Sequence, residues 1–397
     1  MLRERKVFST LGMAFAALAL TAAGAAYAAP EPVNLNVILP LTGGASFVGQ
    51  SSQQAIKLEQ EVINKHGGIN GRPVHFIFHD DQTSPQVAVQ LVNQLSKVNV
   101  ILGSEITAMC NAMAPLLSKG PFVYCLSPGI HPKPGSNMFG VMVPISDMAP
   151  QVLTFFRAKG WTRVALMAST DASGQDGFNA FMAAFKLPEN KGMTIVKEAH
   201  FNPTALNVSA QMTDISAAKP QAIIAWTTGA PAGTVLKGYA QAGLTMPLVI
   251  GQGNIAPEFM KQYSAVLPKA LYLPGGLGVV RADNIKVDPR MKAPREVYLA
   301  ALDKDKLVPQ NGYEVVWDPI MLTVQALRKL GPDATSKQIH DYLSAIQGYA
   351  GISGVYDFKK YPNRGLGGAR DVITHWDANK GEFVAVSEIG GKPIARK

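Results

Sequence analysis

Apolar strand-like runs alternate with amphipathic helix-like runs along this chain, in two successive series. That alternation restricts the fold to parallel sheets covered by helices on both faces. The first series opens with 34–40 (NLNVILP) and a helical stretch, 50–65, that carries Ala55, Leu58 and Val62 on one face and stops at Gly67-Gly68. Strand-like 73–79 (PVHFIFH), an amphipathic run at 86–96, strand-like 100–102, a helix from Thr107 and strand-like 122–126 complete it. The second series restarts at 163–168 (RVALMA). It continues through a helix from Gly174, strand 193–198, helix 206–217, strand 222–225, helix 232–242 and strand 248–250. Two series of this kind predict an α/β protein with two parallel-sheet lobes. The last third reads as more helical. Asp318-Pro319 is expected as N-cap and first helical position, Leu330-Gly331-Pro332 as the stop, and another helix starts near Ser336. Strand-like pieces return at 354–358 and 371–376, with turn material at 361–365 between them.

The first residues have the make-up of an export signal. Arg3, Arg5 and Lys6 precede an apolar run from Leu11 to Ala23, and Ala26-Tyr27-Ala28 is a small-x-small cleavage site. The apolar run is short for a membrane span, and no later stretch has the length and apolarity of one. The mature chain is therefore expected to be exported to the periplasm, without membrane insertion, after cleavage near Ala28. The net charge of +9 is interspersed, with no basic run or basic–aromatic stripe, so it implies solubility and mild attraction for anionic ligands rather than a nucleic-acid partner. The two cysteines, Cys110 and Cys125, fall early in a helix and near the end of a strand. Export permits a disulfide between them, and two buried free thiols fit the sequence equally well.

Enzyme signatures are sparse. Gly251-Gln252-Gly253-Asn254-Ile255-Ala256 matches a dinucleotide fingerprint directly after a strand, yet no acid for a ribose follows about 20 residues on. No P-loop, nucleophile elbow or H-E-x-x-H motif occurs. Of the seven histidines only His75 and His79 lie close in sequence; beside Asp80 and Asp81 they read as a solvated strand end rather than a metal site. No cofactor, metal or catalytic residue is expected, and the chain reads as a binding protein rather than an enzyme.

In open α/β sheets, ligands bind outside the carboxyl ends of the strands, where free amides at helix starts suit carboxylates. Four strand-to-helix turns qualify. In 103–108 (GSEITA), Thr107 is expected to cap the following helix and, with the next amides including Ala108, to hold a carboxylate. In 127–131 (SPGIH), Ser127, Gly129 and His131 offer a hydroxyl, an amide and an imidazole. The turn at 169–176 (STDASGQD) holds Asp171 and Ser173, and 227–229 (TTG) holds Thr228. Phe47, in the Gly-rich turn after the first strand, either stacks on a ligand or plugs the core.

The stretches 33–49 (VNLNVILPLTGGASFVG), 64–73 (NKHGGINGRP) and 80–85 (DDQTSP) resemble, in order and spacing, the leucine/isoleucine/valine-type periplasmic binding proteins, and the similarity runs from about Val33 to Val384. The resemblance implies a type I fold: two doubly wound parallel-sheet lobes, joined by a three-strand hinge, that deliver ligand to the membrane permease of an ABC transporter. It divides the chain into a signal peptide (1–28), an N-terminal lobe (29–145 and 274–350) and a C-terminal lobe (146–273 and 351–397, the latter a return segment and tail), expected to act as a monomer. It also implies that Thr107, Ala108, Ser127, Gly129 and His131 fall on carboxylate- and ammonium-facing loops, with His131 where many members carry Thr. Ser173 falls where amino-acid binders usually carry Tyr, and Thr228 near a ligand-facing aromatic. At Gly253-Asn254, where amino-acid binders tend to place Glu, no acid occurs from Gly251 to Pro257. A buried ammonium without a carboxylate partner is costly, so the expected ligand is a small carboxylate of the benzoate or cinnamate type. Asp171 supplies the acid if the ligand is instead a branched-chain amino acid. A ligand-sensing receptor domain is the alternative of another class.

Overall fold

The structure is a computed structural model and describes residues 30–395, so the leader expected at 1–28 lies outside the described residues. In chain order the elements of the first series are β1 (Val33–Leu39), α1 (Ser46–Lys65), β2 (Val74–Asp80), α2 (Pro85–Gln94), β3 (Val100–Gly103), α3 (Thr107–Met113), β4 (Phe122–Cys125) and β5 (Met138–Gly140). The five strands form one parallel sheet in the order β2-β1-β3-β4-β5. Strands β3 and β4 are buried at every residue, which is why their sequences are continuously apolar rather than alternating.

The second lobe begins with α4 (Ile145–Ala158) and continues through β6 (Arg163–Ser169), α5 (Ala172–Phe185), β7 (Thr194–Phe201), α6 (Ser209–Ala217), β8 (Ala222–Trp226), α7 (Ala230–Gln241), β9 (Leu248–Ile250), α8 (Pro257–Gln262) and β10 (Leu271–Gly275). Then follow α9 (Lys292–Lys304), α10 (Asn311–Leu330), α11 (Ser336–Ala345), a hairpin of β11 (Gln347–Ala350) and β12 (Val355–Asp357), and the strands β13 (Val372–Asp377) and β14 (Glu382–Ala385). The second sheet runs β14-β13-β10-β9-β8-β6-β7, parallel except for antiparallel β13 and β14 at one edge. The expected α/β class with two parallel-sheet lobes is what the structure has.

Helices α9 and α10 return to the first lobe and pack on α1, while α11 packs on β4. The hairpin stays with that lobe because Phe358, just past β12, stacks on Phe139 of β5, ring centroids 5.2 Å apart. The chain therefore crosses between lobes three times, at 141–144, at 276–280 and at 364–371. Buried side chains tie these crossings together. Arg295 of α9 donates to Leu277 O, Val280 O and Ile352 O, and Glu314 of α10 accepts from Gly278 N at 2.8 Å. Arg364 donates to Val141 O at 2.6 Å and to Ile130 O.

One helix start differs from expectation. Asp318-Pro319 was expected to open a helix, but α10 begins upstream at Asn311 and Pro319 lies inside it. An interior proline removes one helical bond and costs about 3 kcal/mol. Val316, Ile320, Leu322 and Val324 are fully buried on α10, each stabilising the helix by about 1.5–3 kcal/mol, so burial wins. Asp318 does not cap; it accepts from Ile352 N (2.8 Å), Ser353 N (2.9 Å) and Tyr356 Oη (2.9 Å). The helix stops at Leu330, as expected, with Gly331 at φ 99°. Cys110 of α3 and Cys125 of β4 form a disulfide, with Cα atoms 6.1 Å apart. Among the described residues no helix is long and apolar enough to cross a membrane.

Candidate functional site

Strand order reverses beside β1/β3 in the first sheet and beside β6/β8 in the second. Outside the carboxyl ends of these strands, between the lobes, lies a cavity of about 400 Å³, the place where doubly wound sheets bind ligands. Loops from both lobes and the start of α10 line it.

On the first-lobe wall, Thr107 and Ser127 are both 3% exposed and their hydroxyls lie 2.8 Å apart. Thr107 was expected to cap α3. Instead Ile106 occupies the N-cap position, Thr107 is the first helical residue, and its hydroxyl is drawn across to the loop after β4. Ser127 Oγ also accepts from Gly129 N at 3.4 Å. A Cβ on Gly129 would come within 2.7 Å of Thr107 Oγ1, so glycine is what allows this loop to close on the hydroxyl pair. Ala108 lies on the same wall.

On the second-lobe wall, Asp171 precedes α5 and accepts hydrogen bonds from Ser169 Oγ at one oxygen and from Ser173 Oγ, at 2.8 Å, at the other. Thr228 and Trp226 face the cavity from β8 and its loop. A Cβ on Gly253 would fall 2.6 Å from Thr228 Cγ2, so the glycines of the fingerprint-like GQGNIA turn serve close packing. The turn itself is a short 3-10 stretch, Gln252–Asn254, rather than the start of a long helix.

Seven of the ten residues expected to face a ligand thus line one cavity: Thr107, Ala108, Ser127, Gly129, Asp171, Ser173 and Thr228. Three do not. Phe47 stacks on Phe259 of α8 with centroids 5.8 Å apart, taking the packing role open to it. His131 pairs across the lobes with Asp176 of α5 at 2.6 Å. Asn254 is fully buried, its amide donating to Thr227 O (2.8 Å) and Gly251 O (2.9 Å) and accepting from Gly229 N (3.0 Å). These contacts commit the side chain to holding the two loops together.

Wall residues that the sequence reading passed over include Glu105, Trp226, Gln252 and Asn311. Glu105 is the one charged residue of the turn GSEITA, and it is the tertiary structure that buries it, at 7% exposure. Burial pushes its carboxyl up to about 8, against the lowering effect of its contact with Ser52, and the nearby Asp81 raises it further. The site therefore presents a hydroxyl pair on the first-lobe wall, further hydroxyls on the second, a neutral acid, two amides and one carboxylate, Asp171, in largely apolar walls. Among the described residues no group of three or more His, Cys, Asp or Glu could hold a metal ion. His79 instead contacts Asn36 Oδ1 at 2.9 Å, and Asp80 accepts from Leu41 N and Thr42 N.

A family model described as periplasmic binding protein matches residues 32–372. The Leu/Ile/Val-binding protein homolog 3 of Brucella melitensis is 27% identical over 251 residues, covering 59% of this chain and 65% of that relative, just under two thirds of its length. An extracellular ligand-binding receptor from Rhodopseudomonas palustris HaA2 superposes with a TM-score of 0.78 at 17% identity, covering 89% of this chain and 99% of the other. The branched-chain amino acid transporter substrate binding protein LivJ from Streptococcus pneumoniae, in complex with isoleucine, superposes with a TM-score of 0.73 at 18% identity, covering 89% and 98%. At such identities the structural likeness is one of fold. The family match runs from the start of β1 to the start of β13, through every wall residue named above, and the chain belongs to the periplasmic binding protein family.

Proposed function

We propose that this protein is the periplasmic substrate-binding component of an ABC importer and that it closes around a small carboxylate with an aromatic body, benzoate- or cinnamate-like. The observation that carries the reading is the chemistry of the cavity: a buried hydroxyl pair, Thr107 and Ser127, on one wall, apolar residues such as Ile106, Met109, Trp226 and Val315 around it, and no acid in the turn from Gly251 to Pro257. A carboxylate accepts from the hydroxyls, and a flat ring fills the apolar remainder. Glu105, held neutral by burial, is not a resting charge partner for an ammonium.

In the mechanism, the carboxylate docks first on the first lobe, at Thr107, Ala108, Ser127 and the Gly129 amide. The second lobe then swings about the three crossings and brings Asp171, Ser173 and Thr228 over the ligand. Ligand shifts the equilibrium toward the closed form only by its greater affinity for that form. A membrane permease reads the closed form, and the protein acts as a monomer. A second reading, a branched-chain amino acid in the same transport role, is favoured by the names of the relatives and by Asp171, whose carboxylate stands on the wall and pairs an ammonium in that case.

A thermal-shift screen of the purified mature protein against benzoates, cinnamates, aliphatic carboxylates and amino acids tests the proposal, because a ligand that binds the native state raises the melting temperature. Shifts with aromatic acids and none with leucine are expected. Tight leucine binding with no response to aromatic acids overturns the ligand reading and leaves the transport role standing.

A further inference from the structure

The two hydroxyls on the first-lobe wall come from different segments, Thr107 from the first turn of α3 and Ser127 from the loop after β4. Their 2.8 Å separation depends on how those segments are held against each other. The sheet does not hold them, because the β3–β4 ladder ends at Leu102 and Tyr124, before either residue is reached. Nor is α3 a firm anchor of its own. It has seven residues and no side-chain cap, and a helix of that length is marginal without outside support. Beyond the ladder, a backbone bond from Leu126 N to Ser104 O, at 2.8 Å, joins the segments. The Cys110–Cys125 disulfide joins them covalently.

The bridge sits where it holds the pair. Cys110 follows Thr107 by about one helical turn, and Cys125 lies just before Ser127 in the strand that leads to it. Both cysteines are fully buried, packed with Ile101, Met109, Val123 and Ile130. Stabilisation through the unfolded chain asks only that a bridge close a loop. It does not ask that the bridge fall between the two halves of a binding group. A carboxylate accepts from both hydroxyls only if both face it at once, and groups held in place beforehand cost less to order on binding.

We infer that Cys110 and Cys125 are positioning residues for ligand binding: their bridge holds Thr107 and Ser127 in register, so the carboxylate affinity of the folded protein depends on the bridge being closed. This rests on the reading above that the hydroxyl pair docks a ligand carboxylate. The cysteines act through the hydroxyls, since neither of them lines the cavity.

The test compares the oxidised wild type with Cys110→Ala/Cys125→Ala, each with and without Thr107→Val, by titration calorimetry well below the melting temperature of every variant. Benzoate, cinnamate and leucine are the probes. For a probe that the wild type binds, loss of the bridge is expected to raise the dissociation constant about five- to tenfold. Thr107→Val is expected to weaken binding less without the bridge than with it, because the two act on one geometry. In the ligand-free proteins, amide hydrogen exchange at 104–110 and 126–129 is expected to quicken without the bridge, while the second lobe is unchanged. Unchanged affinity in the folded bridge-free protein, or an equal Thr107→Val effect in both backgrounds, overturns the inference and leaves the ligand reading standing. No binding of any probe to the wild type overturns the ligand reading instead. Exchange then decides the positioning role: a change confined to the two segments supports it, and a uniform change or none overturns it. If the alanine pair fails to fold, wild type refolded in dithiothreitol takes its place. A protein that folds in neither form needs the bridge for folding, which overturns the inference.

Discussion

Thr107 and Ser127 meet because neither hydroxyl has a nearer claim. The N-cap position belongs to Ile106, so Thr107 is free to turn toward the loop after β4, and Gly129 leaves room for it. Thr107→Val keeps the shape and removes the donor. Losing one hydrogen bond to a charged ligand is worth about 1.5–3 kcal/mol, so the ligand dissociation constant is expected to rise at least about tenfold. The melting temperature of the ligand-free protein should barely move, because Thr107 has only its Ser127 partner to lose. Calorimetric titration of wild type and variant checks this; an unchanged affinity would remove Thr107 from the site. The same residue scale explains what was legible beforehand. Thr107, Ser127, Asp171, Ser173 and Thr228 were legible as cavity-wall residues because each follows a strand that reads clearly as one. Asn254 has the same kind of place, in a turn after a strand, yet three backbone partners hold its side chain between two loops. Glu105 was overlooked because burial, which makes a carboxyl neutral, cannot be read from one turn.

At the scale of elements, the disulfide joins the helix after β3 to the end of β4, the two segments that carry Thr107 and Ser127. Its cysteines are 15 positions apart, and a loop of that size implies about 3 kcal/mol of stabilisation through the unfolded state. Reduction is therefore expected to lower the denaturant midpoint, and a Cys110→Ala/Cys125→Ala variant to match the reduced protein. Chemical denaturation with and without reductant measures it; coincident curves would mean that the bridge contributes nothing. Element types followed from the period of the apolar pattern, and the strand 248–250 was legible to the residue. The start of α10 was not, since Asp318-Pro319 has the local chemistry of a helix start. Tertiary burial along α10 overrides it.

For the whole molecule, the feature with a measurable consequence is the pair His131–Asp176, which joins the loop after β4 in one lobe to α5 in the other. The hydrogen bond to Asp176 raises the His131 pKa above its usual 6.5, with burial and the Arg364 charge opposing it. Opening separates the pair and returns the imidazole to its ordinary range, so the closed form binds the proton more tightly. The pair's contribution to closure is complete below that ordinary range and is lost as pH rises through the raised value. Ligand affinity is expected to weaken as pH rises past neutrality. In His131→Gln this dependence should disappear. Identical pH profiles for the two proteins would show closure to be independent of the pair.

The sequence by itself determined the class of fold, the two series of strands and the loops that line the cavity between the lobes, because periodicity and turn chemistry are local and survive without knowledge of neighbours. Tertiary structure alone decided three things. It brought Cys110 and Cys125 within bonding reach, it committed Phe47, His131 and Asn254 to protein partners, and it placed Glu105, Gln252 and Asn311 in the wall of one cavity. Each depends on which segments meet across a long stretch of chain, and no residue's own neighbours in sequence record that meeting.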